Sequence, residues 1–148
     1  MINEDLMRSA IAVAESALKT ADVPVGALIV DGENNVIATG YNEREAHQDP
    51  TAHAEIVAIR RAAQKLGTWR LDDCKLVVTL EPCAMCAGAI AQSRIGTLVF
   101  GAWDEKAGAV GSVWDVLRDP RAIHKMEVIG GVLQAECAEL LTNFFREQ

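Results

Sequence analysis

Four residues of this chain have the types and spacing of a metal site with an acid beside it. His53 and Glu55 are separated by one residue, and Cys83 and Cys86 form a C-x-x-C pair further along. A structural zinc site normally closes with a fourth Cys or His, and none stands beside either stretch. Water can therefore take the fourth position, where zinc would lower its pKa to about 7. The pattern predicts a hydrolytic metal site.

The roles of these residues follow from their chemistry. Two thiolates and a neutral imidazole favour zinc over magnesium or calcium, while iron stays an alternative for this ligand set. The i, i+3 spacing of Cys83 and Cys86 sets both sulfurs on one face at the start of a predicted helix, where the thiolate form is favoured. Glu55 lies close to the ion without being needed as a ligand, so it is the candidate for a group that shuttles protons. Cys74 and Cys137 stand in apolar or helical contexts and are predicted to be buried free thiols.

Other interpretations of the C-x-x-C pair are a redox pair or half of a zinc ribbon. The chain has no second C-x-x-C to complete a ribbon. A further alternative is a zinc-stabilised structural or binding module without catalysis. Glu55 counts against that alternative, because a structural zinc site has no use for an adjacent acid.

The elements that must position these residues alternate between strand and helix. Apolar residues recur at helical spacing over residues 4–19, with Asn3 as the candidate N-cap. Further helices are predicted from 50–51 to about 65, from 83 to about 91, near 113–117 and over 133–145, and strands over 27–30, 36–41, 75–80, 97–100 and 126–129. The first two strands are separated by a polar turn and predict an antiparallel hairpin. The later strands alternate with helices, which indicates parallel pairing.

The predicted fold class is α/β, a three-layer α/β/α sandwich with a five-stranded mixed sheet, in a single domain over residues 1–148. Two helix starts would then meet near the carboxyl ends of strands, where open α/β folds bind their ligands. The 148 residues suit one domain, and the 50% hydrophobic and 24% charged composition is that of a globular protein.

The charge and the apolar pattern limit the partners and the compartment. The formal net charge is −7, so an RNA contact would need a local basic rim rather than a basic surface. No apolar run reaches the roughly 18 residues of a membrane span, and the acidic start Met1-Ile2-Asn3-Glu4-Asp5 is unlike a signal peptide. We therefore expect a cytoplasmic protein with no membrane partner.

Residues 49–56 (DPTAHAEI) and 78–89 (VTLEPCAMCAGA) closely resemble the bacterial tRNA-specific adenosine deaminases. The resemblance extends to residues 23–27, 93–96, 100–102 and 108–112. The H-x-E and P-C-x-x-C elements alone are the signature of zinc deaminases in general. The segments around them narrow the resemblance to this family, which has a cytidine deaminase-like fold.

The resemblance implies hydrolytic conversion of adenosine to inosine at wobble position 34 of a tRNA(Arg) with anticodon ACG. It also implies a homodimer with one Zn²⁺ per subunit, held by His53, Cys83 and Cys86, and Glu55 as the proton shuttle. Seven further residues would contact the RNA: Asn42 at the target nucleotide, Leu28 and Ala54 in the base pocket, Asp104 and Lys106 in the loop beside the anticodon groove, and Phe145 and Arg146 on the terminal helix.

The alternative activity within the same chemistry is deamination of a free nucleobase or nucleoside, of the guanine or cytosine type. The acidic net charge would suit a small free substrate. Small zinc enzymes that act on free cytidine generally use three cysteines as metal ligands. The histidine in the ligand set of this chain therefore counts against that class of enzyme.

Overall fold

A five-stranded sheet carries helices on both of its faces. The computed structural model describes residues 1–147, and Gln148, the last residue of the predicted domain, lies outside the described residues. The helices are α1 (Ile2–Ala14), α2 (Arg44–His47), α3 (Ala54–Leu66), α4 (Ala84–Gln92) and α5 (Gln134–Arg146), with a 3₁₀ helix at Glu15–Thr20. The strands are β1 (Gly26–Val30), β2 (Val36–Tyr41), β3 (Lys75–Leu80), β4 (Thr97–Ala102) and β5 (Glu127–Ile129).

The sheet is mixed, with the strand order β2-β1-β3-β4-β5. Strand β1 pairs antiparallel with both β2 and β3, whereas β3, β4 and β5 run parallel to one another. The parallel part follows the sequence order because α4 provides the crossover between β3 and β4. The predicted five-stranded mixed sheet is confirmed.

Two apolar layers hold the helices to the sheet. On one face, Ile29, Leu76 and Phe100 are buried with residues of α3 and α4. On the other face, Leu28 and Val77 are buried with residues of α1 and α5. Neighbouring residues of a strand point to opposite faces, so each central strand contributes to both layers. The three-layer α/β/α architecture is confirmed.

The first helix differs from its prediction at both ends. Helix α1 ends at Ala14, and residues 15–20 continue as a 3₁₀ helix. Asn3 lies inside α1 rather than at its N-cap, and its side-chain oxygen accepts a hydrogen bond from Lys75 Nζ at 2.9 Å. A tertiary contact therefore uses the polar side chain that local capping rules would assign to the helix end.

Two loop segments also differ from their predictions. The helix expected from residue 50 begins at Ala54, and the polar loop before it contains the short helix α2. No regular helix forms over 113–117, within the range that the structure describes. Val113 N and Val116 N instead donate to Gly108 O and Ala109 O, at 2.9 and 2.8 Å. Contacts with an earlier loop thus replace the helical hydrogen bonds there.

Among residues 1–147, none of the helices is both long and apolar enough to cross a membrane.

Gly26 gives a stability prediction, because β1 passes directly against α1 at this residue. A Cβ at Gly26 would lie 2.5 Å from Ala14 N and would overlap Ala10 O. Gly26→Ala is therefore expected to lower the free energy of unfolding by about 3 kcal/mol. Urea denaturation measures the change. Gly88→Ala is the control: Gly88 lies within α4 with no atom within 4 Å of an added Cβ, so stability should rise by up to about 1 kcal/mol. Equal effects of the two changes would contradict the prediction.

Candidate metal centre and active site

Two helix starts bring the predicted metal ligands together. His53 is the N-cap residue of α3, and Cys83 is the N-cap residue of α4, three residues beyond the carboxyl end of β3. Both residues have the extended backbone that is usual at a helix N-cap. Cys86 lies in the first turn of α4 and is buried.

The three side chains have the separations that a tetrahedral ion needs. The Sγ atoms of Cys83 and Cys86 lie 3.6 and 3.5 Å from His53 Nδ1. Zinc–sulfur bonds of about 2.3 Å and zinc–nitrogen bonds of about 2.0 Å at a tetrahedral angle would separate N and S by about 3.5 Å. The three ligand atoms all lie within 4.8 Å of one another. The donor set and its spacing therefore fit Zn²⁺.

The ligands share protons among themselves. A hydrogen bond from the Cys86 thiol lowers the pKa of Cys83 to about 3, against the opposing effect of burial. The same contact, together with burial, raises the pKa of Cys86. The hydrogen bond to Cys83 raises the pKa of His53. A metal cation can bind between such a thiolate and the imidazole and would displace the protons that the three side chains share.

Glu55 lies in the first turn of α3, next to the metal group. Its side chain is 4% exposed, and burial raises the pKa of Glu55 to about 7. A carboxyl group that titrates near neutrality can both accept and donate a proton at physiological pH.

These groups open into a cleft with an empty volume of about 590 Å³, including space open to solvent. His53, Cys83 and Glu55 line it, together with the predicted substrate residues Asn42, Ala54 and Asp104. Sequence reasoning missed the other residues that line it, which are Val23, Val25, Arg44, Leu80, Glu81 and Ala107. The V-P-V-G-A segment at 23–27 was a signal for two of them, since it belongs to the resemblance.

Leu28 does not belong to the cleft. Its side chain is 1% exposed and packs with Met7 and Ala10 of α1, on the far face of the sheet. The expectation that Leu28 shapes the base pocket is therefore corrected. Val25 of the preceding segment lines the cleft, and Leu28 does not.

A second groove adjoins the cleft and shares Val23, Leu80 and Asp104 with it. Trp103, Lys106 and Phe145 line this groove, so the structure brings a loop and the terminal helix together there. Phe145 is 59% exposed, and its ring packs edge-on against Phe144. Arg146 is exposed at the end of α5 and does not line either cavity.

A buried acid supports one wall of the cleft. Asp22 is 2% exposed and accepts hydrogen bonds from Glu45 N at 2.7 Å and Ala46 N at 3.2 Å. Asn42 is fixed in the same wall, since its Nδ2 donates to Val23 O at 3.3 Å and its Oδ1 accepts from Arg44 N. No motif in the sequence marks Asp22 for this position.

A second buried acid stands directly before the Pro82-Cys83 dipeptide. Burial would raise the pKa of Glu81, but the Ser112 hydroxyl and the backbone N–H groups of Asp104, Val110 and Ser112 donate to the carboxylate and lower its pKa overall. Cys74 and Cys137 are buried and free, as predicted.

The mixed sheet with a His-Cys-Cys group beside the carboxyl end of β3 defines the protein as a deaminase of the cytidine deaminase-like fold. The family model of MafB19-like deaminases matches residues 1–148. The tRNA-specific adenosine deaminases of Haemophilus influenzae and Bacillus subtilis are each 47% identical to this chain over 146 residues. These alignments cover 99% and 98% of the chain, and 84% and 89% of the two relatives.

Solved structures of deaminases also match this chain. A structure from studies of A-to-I editing by tRNA:A34 deaminases at the wobble position of transfer RNA is 44% identical, with a TM-score of 0.87, and the match covers 91% of this chain and 97% of the other. Guanine deaminase from Nitrosomonas europaea is 26% identical, with a TM-score of 0.80 and coverage of 95% and 83%. The chain belongs to the MafB19-like deaminase family and to the family of tRNA-specific adenosine deaminases, which confirms the predicted resemblance.

Proposed function

We propose that this protein hydrolyses adenosine to inosine at wobble position 34 of tRNA(Arg) with anticodon ACG. The observation that carries the proposal is the His53, Cys83 and Cys86 group beside a cleft that the buried Glu55 lines together with His53 and Cys83. The 47% identity to tRNA-specific adenosine deaminases supports tRNA as the substrate. An anticodon loop is single-stranded, so its bases can turn outward into a pocket at small cost.

We assign one Zn²⁺ per subunit to the His53, Cys83 and Cys86 ligands. When bound, zinc supplies a water molecule that is deprotonated near neutral pH. The chain's own contribution to the chemistry is proton transfer by Glu55. Glu55 accepts a proton from the attacking water and delivers it to ring nitrogen N1 as the oxygen–C6 bond forms.

The second half of the reaction needs a proton on the leaving amine. Glu55 accepts the remaining proton of the former water hydroxyl and gives it to the exocyclic nitrogen. The C6–N bond then breaks and ammonia leaves, so that water and adenosine yield inosine and ammonia. One carboxyl group serves both steps because its pKa lies near 7.

Substrate positioning follows from the walls of the cleft. Asn42 is held beside the cleft by its two hydrogen bonds, and its amide group suits a contact with a nucleotide. The backbone of Ala54, the first residue of α3, also lines the cleft. Asp104 stands where the cleft meets the groove. The groove that Lys106 and Phe145 line would receive neighbouring anticodon nucleotides, with the exposed Phe145 ring as a stacking surface.

Lys106 and Arg146 give the prediction on RNA affinity. Both side chains are exposed on a chain with net charge −7. Lys106 lines the groove, and Arg146 follows Phe145 at the end of α5, so the two would form the local basic rim. Lys106→Ala and Arg146→Ala should each weaken tRNA binding and reduce the slope of log K against log salt by about 1. Binding titrations at several salt concentrations measure the slope. Lys19→Ala, an exposed lysine at the end of the 3₁₀ helix, is the control, and an unchanged slope in both test variants would contradict the prediction.

The oligomeric state, the domain organisation and the cellular compartment are part of the same proposal. The protein acts as a homodimer of single deaminase domains over residues 1–148, in the cytoplasm, where its tRNA substrate is found. Equilibrium sedimentation of the full chain measures the oligomeric state, and a monomer at micromolar concentration would contradict it.

The alternative is a deaminase of a free purine base, favoured by the TM-score of 0.80 to guanine deaminase from Nitrosomonas europaea. One experiment separates the two. The zinc-loaded protein is incubated with a tRNA(Arg) transcript that carries an ACG anticodon, and position 34 is determined by reverse transcription and sequencing. An A-to-G change at that site alone supports the proposal. An unchanged tRNA, with ammonia released from guanine, would assign the protein to the alternative.

A further inference from the structure

The Glu81 carboxylate is bound entirely by one loop. Its side chain is 2% exposed, and its Oε1 accepts hydrogen bonds from Asp104 N at 2.9 Å and from the Ser112 hydroxyl. Its Oε2 accepts from Val110 N at 2.9 Å and from Ser112 N at 3.0 Å. All four donors lie between residues 104 and 112, hereafter the 104–112 loop. Hydrogen bonds to an ionised carboxylate are stronger than those between neutral groups.

The 104–112 loop closes on the segment that carries Glu81. Ala109 N donates to Pro82 O at 2.8 Å, and Gly108 forms an isolated antiparallel bridge with Cys83. A Cβ at Gly108 would overlap the Glu81 carboxylate, so the loop can approach this closely only with glycine there. The loop thus adopts its shape around a buried acid rather than from local helix or strand propensity.

The same loop borders the substrate. Asp104 and Ala107 line the cleft, and residues 103–106 line the adjoining groove. Glu81 is not among the three metal ligands, and Glu55 alone carries protons in the proposed reaction. Glu81 is therefore a buried acid at the wall of the cleft, and the hydrogen bonds of its carboxylate all go to the 104–112 loop, which borders the same cleft.

We propose that Glu81 is a positioning residue, which holds the 104–112 loop in the conformation that binds the target nucleotide and thereby determines affinity for the RNA substrate. This inference rests on the proposed function, because the loop borders the cleft and groove assigned to the anticodon.

Glu81→Gln is the direct test. The glutamine amide keeps the size of the side chain, but in either orientation its N–H₂ faces at least one backbone N–H of the loop. Amide hydrogen exchange of Asp104, Val110 and Ser112 should accelerate by about tenfold, since a charge-assisted hydrogen bond contributes that much. The KM for a tRNA anticodon stem-loop should rise by about tenfold, while kcat changes by less than about twofold.

Two further variants control for charge and for folding. Glu105→Gln removes the same charge from an exposed position in the same loop, and a charge effect alone would lower the KM for RNA in both variants. Only Glu81→Gln should raise it. Ser112→Ala removes one of the four hydrogen bonds and should give a smaller change in the same direction, which tests the inference even where Glu81→Gln does not fold.

Zinc content and the exchange data decide among the outcomes. Unchanged exchange at the three amides, or faster exchange with unchanged KM, would overturn the inference. A loss of zinc in Glu81→Gln would also overturn it, because the residue would then act through Cys83. If the wild-type protein leaves tRNA unmodified, the proposed function fails separately, and the exchange comparison still decides whether Glu81 holds the loop.

Discussion

Glu55→Gln is expected to lower kcat for tRNA deamination by about 10²- to 10⁴-fold, the usual contribution of a general acid–base group. Glutamine has nearly the volume of glutamate but cannot carry the proton from water to the ring nitrogen and the leaving amine. Glu55 is 4% exposed and lines the cleft beside His53 and Cys83, and its carboxyl group interacts with the ligand side chains. Single-turnover kinetics on the anticodon stem-loop measures the change.

The control for this prediction is the metal content and the stability of the same variant. Because Glu55 is outside the three-ligand group, Glu55→Gln should bind one zinc per subunit and unfold at a wild-type denaturant concentration. A variant that loses zinc or unfolds would contradict the shuttle role and would make Glu55 a ligand or a structural residue. A variant with wild-type kcat would remove it from the chemistry altogether.

Cys83→Ser is expected to abolish both zinc binding and turnover. A serine hydroxyl is not deprotonated at neutral pH, whereas the pKa of Cys83 is lowered to about 3 by its hydrogen bond with Cys86. Zinc at about 1,000 times its dissociation constant should raise the free energy of unfolding of the wild type by about 4 kcal/mol, since the ion binds only the folded protein. The same zinc should leave the stability of Cys83→Ser unchanged. Denaturation with and without chelator measures both.

Cys74→Ala is the matched control for the metal prediction. Cys74 is also a buried free thiol, but it lies before β3, at the end of that strand opposite to Cys83, and outside the cleft. Its removal should leave the zinc stoichiometry and the stabilisation by zinc at wild-type values. Equal loss of zinc in Cys74→Ala and Cys83→Ser would contradict the assignment of His53, Cys83 and Cys86 as the ligand set.

Local sequence carried the chemistry of the site and the order of the elements. His53 and Glu55 lie two residues apart, and Cys83 and Cys86 lie within one helical turn, so each half of the site is a local pattern. The strands were found because β1, β3 and β4 are short apolar runs bounded by polar or glycine residues. The two halves of the site could be expected at one end of the sheet because both start helices.

The lining of the cleft depended on long-range contacts. Strand β1 is buried at every residue, so its sequence has no polar and apolar alternation to show which side chains face which layer. The expectation for Leu28 was wrong for this reason: only pairing with β2 and β3 and packing against α1 decide that its side chain lies on the far face.

The conformation of the 104–112 loop depends even more on contacts that the local sequence does not reveal. Local contacts shape only part of the loop, since Asp104 Oδ1 accepts hydrogen bonds from Lys106 N and Ala107 N. Four further hydrogen bonds of the loop go to Glu81, which directly follows β3 and is distant in the sequence. The absent helix at 113–117 has the same cause, since its amides bond back to Gly108 and Ala109. The sequence by itself determined the reactive groups and the order of helices and strands. The tertiary structure alone decided which residues line the cleft. The reason is that the hydrogen bonds of the buried Glu81 carboxylate and the packing of helices on the two sheet faces join residues that are far apart in the sequence.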